Sequence, residues 1–305
     1  MIIELPDTTV SQINRRLVTV REQGGAVALS RVLTLVIDAG DCDIEPAIEA
    51  ANAASHEHPC RVIVLSHEPD TDGKLNAELR LGRDAGASEV IVLRHSEELS
   101  QHLDTLVLPL LLPDAPVVIY WPHEAPTDPS EDPVGKLGQR RITDSRSDPR
   151  GIDLLLTLRD AYVPGDTDLA WTRTTLWRSR IAATLDQPPF EPVLRATVAG
   201  EEGHPSIDLL AGWLALRLEC PVDMELIKGV PGLTEVRLER ASGTIVLSRP
   251  DGNVASFNLP GQPAQRISLP MRSLGDALAE DLRRLDSDEV YGDVLREGLS
   301  LVEGR

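Results

Sequence analysis

Four short apolar runs, each rich in β-branched residues, constrain this chain more than any other feature: RVLTLVIDA (31–39), CRVIVLS (60–66), SEVIVLRH (88–95) and PVVIYWP (116–122). None alternates apolar with polar. An uninterrupted apolar strand is covered on both faces, and such strands build largely parallel sheets flanked by helices. The segments between them can supply those helices. Residues 9–22 carry Val10, Ile13, Leu17 and Val20 at helical spacing, with Asp7 or Thr8 as cap and Gly24-Gly25 as stop. Residues 44–55 are Ala-rich, and 76–81 read as a weaker, alternating strand. SEELSQHLDTLVLPLL (96–111) reads as a helix with a soft start, because the third residue after Ser96 is Leu99 rather than an acid. The layout is α/β, and in such sheets ligands or partners meet the carboxyl ends of the strands. Tyr120, Trp121 and His123 lie at such an end.

The second half reads differently. VPGDTD (163–168) is a turn with Asp168 placed to cap a helix, and it suggests two domains, an α/β domain over 1–164 and an α+β domain over 165–305. On a helix running from Asp168 to about Asp186, Ala170, Thr174, Trp177, Ile181 and Leu185 share one face, so Trp177 is assigned to the core. Trp171 and Arg178 lie at one edge of that face, with Arg173 and Arg180 at the other. A strand at 193–200 and an amphipathic helix at 205–219 follow. Strands at 222–228, 233–240, 244–248, 254–259 and 265–269, with Gly, Asn or Pro in their turns, read as an antiparallel meander. Helices at 274–285 and 289–301 close the chain.

Composition narrows the function. A net charge of −19 argues against nucleic acid or an anionic membrane as partner. The most membrane-like segment, 103–122, is broken by Asp104, Asp114 and four prolines. With no signal peptide at the start and three isolated cysteines, Cys42, Cys60 and Cys220, the expectation is a cytoplasmic protein with free, structural thiols. Against the acidic background one stretch is positive: 136–180 holds nine basic and six acidic residues. Five of the nine aromatics, Tyr120, Trp121, Tyr162, Trp171 and Trp177, fall within 116–185.

Catalytic motifs are missing. No GxGxxG, Walker A, GxSxG or HExxH occurs, and Gly82/Gly86 and Gly135/Gly138 have the wrong spacing for a phosphate cradle. His56, His58 and Cys60 lack a fourth zinc ligand nearby, so a solvated turn before a core cysteine explains them better. Asp160, Asp166 and Asp168 sit near Arg159 and Arg173, but turn and cap chemistry accounts for them more simply than acid–base catalysis. Arg140, Arg141, Arg146 and Arg150 could grip a phosphate or a carboxylate surface, or form a solvated face.

PVVIYWP, RRITDSR and LRDAYVPGDTDLAWTRTTLWR, followed by a helix-plus-meander half, resemble the OpcA family of glucose-6-phosphate dehydrogenase assembly proteins along essentially the whole chain. The resemblance implies a protein that is not an enzyme and needs no cofactor. It implies binding to glucose-6-phosphate dehydrogenase, support of its active oligomer and hence NADPH supply by the oxidative pentose phosphate pathway. It carries over no catalytic residues. An aromatic- and arginine-rich surface suits that role, which makes Tyr120, Trp121, Arg140, Arg141, Arg146, Trp171, Arg173 and Arg178 the candidate partner-binding residues. A homo-oligomer is compatible with the sequence. The alternative is a sugar-phosphate-binding α/β enzyme or sensor that uses Arg140, Arg141 and Arg146.

Overall fold

The structure, a computed structural model, describes residues 1–23, 31–69, 73–81 and 89–302. The Gly24-Gly25 stop and the Gly82/Gly86 pair lie outside the described residues. The chain forms two compact units. The first takes Met1–Asp144, Gly165–Thr167 and Ser273–Ser287; the second takes Ser145–Pro164, Asp168–Arg272 and Asp288–Arg305. Each unit is therefore discontinuous in sequence, where the sequence suggested one boundary at 164/165.

The first unit is built on an eight-stranded sheet. In chain order its strands are β1 (Ile2–Leu5), β2 (Leu33–Asp38), β3 (Cys60–His67), β4 (Leu75–Arg80), β5 (Glu89–His95), β6 (Val117–Trp121), β7 (Arg140–Thr143) and β8 (Asp166–Asp168). Their order across the sheet is β1-β4-β5-β3-β2-β6-β7-β8. The four apolar runs are β2, β3, β5 and β6, and the pairs among them are parallel. β7 extends the parallel set beside β6. Leu35, Val36, Ile63, Val64, Ile91, Val92, Val118 and Ile119 have no accessible surface. Full burial of each such side chain contributes about 1.5–3 kcal/mol, which is why these runs hold the centre of the sheet. β4 pairs antiparallel with β5, and β1 antiparallel with β4.

Helix 10–23 buries Ile13, Leu17 and Val20 as its spacing requires. Its cap is neither Asp7 nor Thr8. Thr9 Oγ1 accepts from the Gln12 amide and Gln12 Oε1 from the Thr9 amide, a reciprocal capping box. The soft start at Ser96 has a structural counterpart. Ser96 makes no capping bond, and the segment opens as a 3-10 turn over Glu97–His102 before one α turn at Leu103–Val107.

Helix Leu274–Asp281, expected in the C-terminal half, belongs to the first unit and packs on helix Glu45–Ala54. Gly275 permits the approach, since a Cβ there would lie 2.9 Å from the Cβ of Ala53. Gly275→Val is expected to lower stability by about 1–3 kcal/mol through overpacking. Adding Ala53→Gly should recover part of the loss in a thermal-melt double-mutant cycle.

The second unit holds β9 (Arg195–Glu201), β10 (Val222–Ile227), β11 (Leu233–Arg240), β12 (Gly243–Ser248), β13 (Val254–Asn258) and β14 (Gln265–Ser268), in the order β10-β9-β11-β12-β13-β14. β10 pairs parallel to β9 across helix Pro205–Leu218, a β-α-β crossover, so the antiparallel meander begins only at β11. One core lies between this sheet, helix 205–218 and helix Thr175–Leu185; a second gathers Leu155, Trp171, Leu209, Tyr291 and Leu295 from the helices.

Candidate functional site

Parallel, in-register strands bring their carboxyl ends together. In the first unit these ends are Asp38 of β2, His67 of β3, His95 of β5 and Trp121 of β6. His67 and His95 pair across the ladder with ring centroids 5.6 Å apart. His67 Nδ1 lies 2.6 Å from Asp41 and its Nε2 3.2 Å from Glu97, two exposed carboxylates. Burial pushes the His95 imidazole below its ordinary pKa and favours the neutral ring. Burial, reinforced by the charge of Asp132, raises Asp38 to about 6, against hydrogen bonds from Gly40 and the Trp121 side chain. Among the described residues, no three His, Cys, Asp or Glu are placed to hold a metal ion. His56 is exposed, and Cys60 is a core residue of β3.

The raised Asp38 has a consequence for stability. The folded state takes up the proton more readily than the unfolded chain, so the protonated form stabilises at low pH. That contribution is lost as pH rises through about 6. Asp38→Asn should therefore be more stable than the parent at pH 7.5, by on the order of 1–3 kcal/mol. The gap should close towards pH 4 in denaturant titrations.

Two arginines of the basic stretch are held in buried ion pairs. Arg140 Nε donates to Asp281 at 2.6 Å and its guanidinium also to the Asp286 carbonyl. Arg141 Nε donates to Asp166 at 2.5 Å and its guanidinium also to the Gly138 carbonyl. Arg150 pairs with Asp148. Arg140 and Arg141 are buried, whereas Arg146 is exposed and belongs to the second unit. The first two are thus committed to buried acids of the first unit. The acidic trio is structural too: Asp166 answers Arg141, Asp168 caps the helix at Leu169 and holds Ser145, and Asp160 sits beside Arg159 at the surface.

The aromatic members are buried as well. Tyr120 and Trp121 lie in the sheet at 0% and 3% exposure. Trp177 is core, at 1%. Trp171, placed by helical spacing at an edge, is 2% exposed, because the helix is broken: Leu169–Thr172 ends and Thr175–Leu185 starts afresh. The break turns the Trp171 ring against Tyr291, at 6.0 Å, and its Nε1 donates to Asp288 at 2.8 Å. Arg178 does lie beside it as the spacing requires. Its guanidinium carbon is 3.5 Å from the centroid of the Trp171 ring, and it donates to Thr174 and Thr175. Of the eight candidate partner residues, Arg146 is exposed and Arg173 and Arg178 are half-buried. Arg146 and Arg173 also line a cavity of the second unit with His204, Arg249 and Arg272. The last three carry no local sequence motif and meet only through the tertiary fold.

Comparison with known proteins decides the family. Residues 51–159 match the family described as the N-terminal domain of the glucose-6-phosphate dehydrogenase subunit, and residues 164–295 match the one described as its C-terminal domain. The chain belongs to the OpcA family. A relative in Synechococcus elongatus, described as an OxPP cycle protein OpcA, is 28% identical over 189 residues, which is 55% of this chain and 41% of the relative. The chain thus matches less than half the length of that OpcA protein. Among solved structures, a NAD binding oxidoreductase from Klebsiella pneumoniae aligns at TM-score 0.47 and 11% identity, over 90% of this chain and 96% of that one. An oxidoreductase from Sinorhizobium meliloti aligns at 0.48 and 11%, over 88% and 94%. Among the described residues of this OpcA family member, no helix is long and apolar enough to cross a membrane.

Proposed function

We propose that this chain is a non-catalytic assembly factor that binds glucose-6-phosphate dehydrogenase and favours its active oligomer, in support of NADPH production. The observation that carries the reading is the succession of both domains of the family along one chain. The absence of catalytic motifs from the sequence is consistent with it. On this reading the protein acts in the cytoplasm, where the dehydrogenase works.

The contact is carried by accessible side chains, with the buried aromatics as their support. Arg178 fits best. Its guanidinium is stacked on Trp171 and held by two threonines while remaining partly accessible. A side chain fixed in this way loses little entropy on binding, and arginine is enriched among residues that dominate interfaces. Arg178→Ala should weaken association with the dehydrogenase about thirty-fold or more, while the lost stacking and hydrogen bonds cost about 1–2 kcal/mol of stability, well short of the loss on removing Trp171. Sedimentation or size-exclusion titration with purified dehydrogenase measures this. An unchanged affinity would remove Arg178 from the interface.

A further inference from the structure

The second unit encloses a small cavity where guanidinium groups converge: Arg146, Arg173, Arg249 and Arg272, with His204 beside them and the Trp177 ring as one wall. Arg249 is the unusual member. It is only 5% exposed. Two of its nitrogens are spent on the backbone carbonyls of Leu233 and Leu269, at 2.9 and 3.0 Å. Its Nε has no hydrogen-bond partner, and no carboxylate pairs with it among the described residues. Its cationic carbon lies 5.1 Å from the centroid of Trp177. Burial depresses its pKa to about 10, still far above neutrality, so the charge persists. A buried cation balanced by carbonyls, a ring face and the charge of Asp251, with no carboxylate in direct contact, is costly unless an anion joins it.

The surroundings favour an anion. Arg146 reaches the same cavity from an exposed position and makes no ion pair or hydrogen bond among the described residues. Helix 205–218 begins here: His204 is its cap, accepting from the Ser206 amide through Nδ1 at 3.3 Å, and both residues line the cavity. The positive end of a fourteen-residue helix adds to the field. The cavity holds about 30 Å³, roughly twice what one water needs, and is partly open to solvent. That suits the head of a tetrahedral oxyanion with its remainder in solvent, and is too small to enclose a nucleotide. The fork geometry of guanidinium groups matches the oxygens of a multiply charged oxyanion better than a spherical chloride.

We propose that this cavity is a phosphoryl-binding site, with Arg249 as its buried base and Arg146 as its mobile outer clamp. The proposal does not rest on the dehydrogenase-binding role, although Arg146 and Arg173 are also candidate partner residues, and its test needs no dehydrogenase.

The full chain is titrated with inorganic phosphate, with a simple phosphomonoester such as glycerol phosphate, and with chloride at matched ionic strength, by calorimetry and thermal melt. Saturable binding of either phosphate species, with a rise in melting temperature that chloride does not reproduce, is expected. A tighter phosphomonoester identifies the source as a phosphorylated metabolite; a tighter inorganic phosphate identifies it as the free ion. Arg146→Gln is exposed and removes no ion pair or hydrogen bond seen among the described residues, so it should melt like the parent without ligand and bind about tenfold or more weakly. Arg249→Gln should abolish binding; if it fails to fold, Arg146→Gln alone decides. Phosphate that stabilises no more than chloride, or Arg146→Gln with unchanged affinity, would overturn the proposal.

Discussion

Trp171→Ala is expected to melt about as low as Trp177→Ala, each losing on the order of 3–5 kcal/mol. Helical spacing alone sets the two apart, with Trp177 inward and Trp171 at a surface edge. The packing removes that distinction. Trp177 lies in the core between the six-stranded sheet and helix 205–218, and Trp171 in the helical core with Leu155, Leu209 and Tyr291. Removing Trp171 also takes away the indole donor to Asp288 and the ring beneath Arg178. Trp171→Phe should recover much of the packing but not the hydrogen bond, and so fall between parent and alanine variant. A Trp171→Ala protein that melts like the parent would contradict the placement of this ring.

Arg140→Ala is the second large effect, at about 3–5 kcal/mol. The Arg140 and Asp281 side chains are 5% and 2% exposed and 2.6 Å apart. Truncating the arginine leaves a carboxylate in a dry setting without the guanidinium that neutralises it, and that penalty exceeds the worth of the pair itself. Combining Arg140→Met with Asp281→Leu should therefore restore part of the stability: the two apolar groups remove the uncompensated charge, while the Asp286 carbonyl and the Thr167 hydroxyl each lose a partner. A double variant as unstable as Arg140→Ala would show that hydrogen bonding, rather than buried charge, sets the cost. The measurement is denaturant unfolding of the full chain.

The central strands were legible because burial on both faces leaves a continuous apolar run, a signal contained within each segment. β1 was not, since IIEL is short and gains its partner only through β4. The parallel pairing of β10 escaped because composition does not distinguish a crossover strand from a meander strand. The place of helix 274–281 escaped because what holds it, the Gly275–Ala53 approach, joins residues far apart in sequence. At the candidate sites, spacing correctly set Arg178 beside Trp171 but assumed an unbroken helix, so it misjudged exposure. The arginines at 140 and 141 read as a surface patch because their acids, Asp281 and Asp166, lie elsewhere in the sequence. The Arg249 cavity left no local trace, its lining being drawn from distant segments.

The most direct test of the account is an activation titration: purified glucose-6-phosphate dehydrogenase from the same organism, assayed for NADPH formation with increasing amounts of this chain, while its oligomeric state is followed by light scattering. The account predicts a saturable rise in activity that parallels a shift to a larger dehydrogenase assembly, with no NADPH formed by this chain alone. Unchanged activity and assembly size at saturating concentration, or dehydrogenase turnover by the isolated chain, would contradict it.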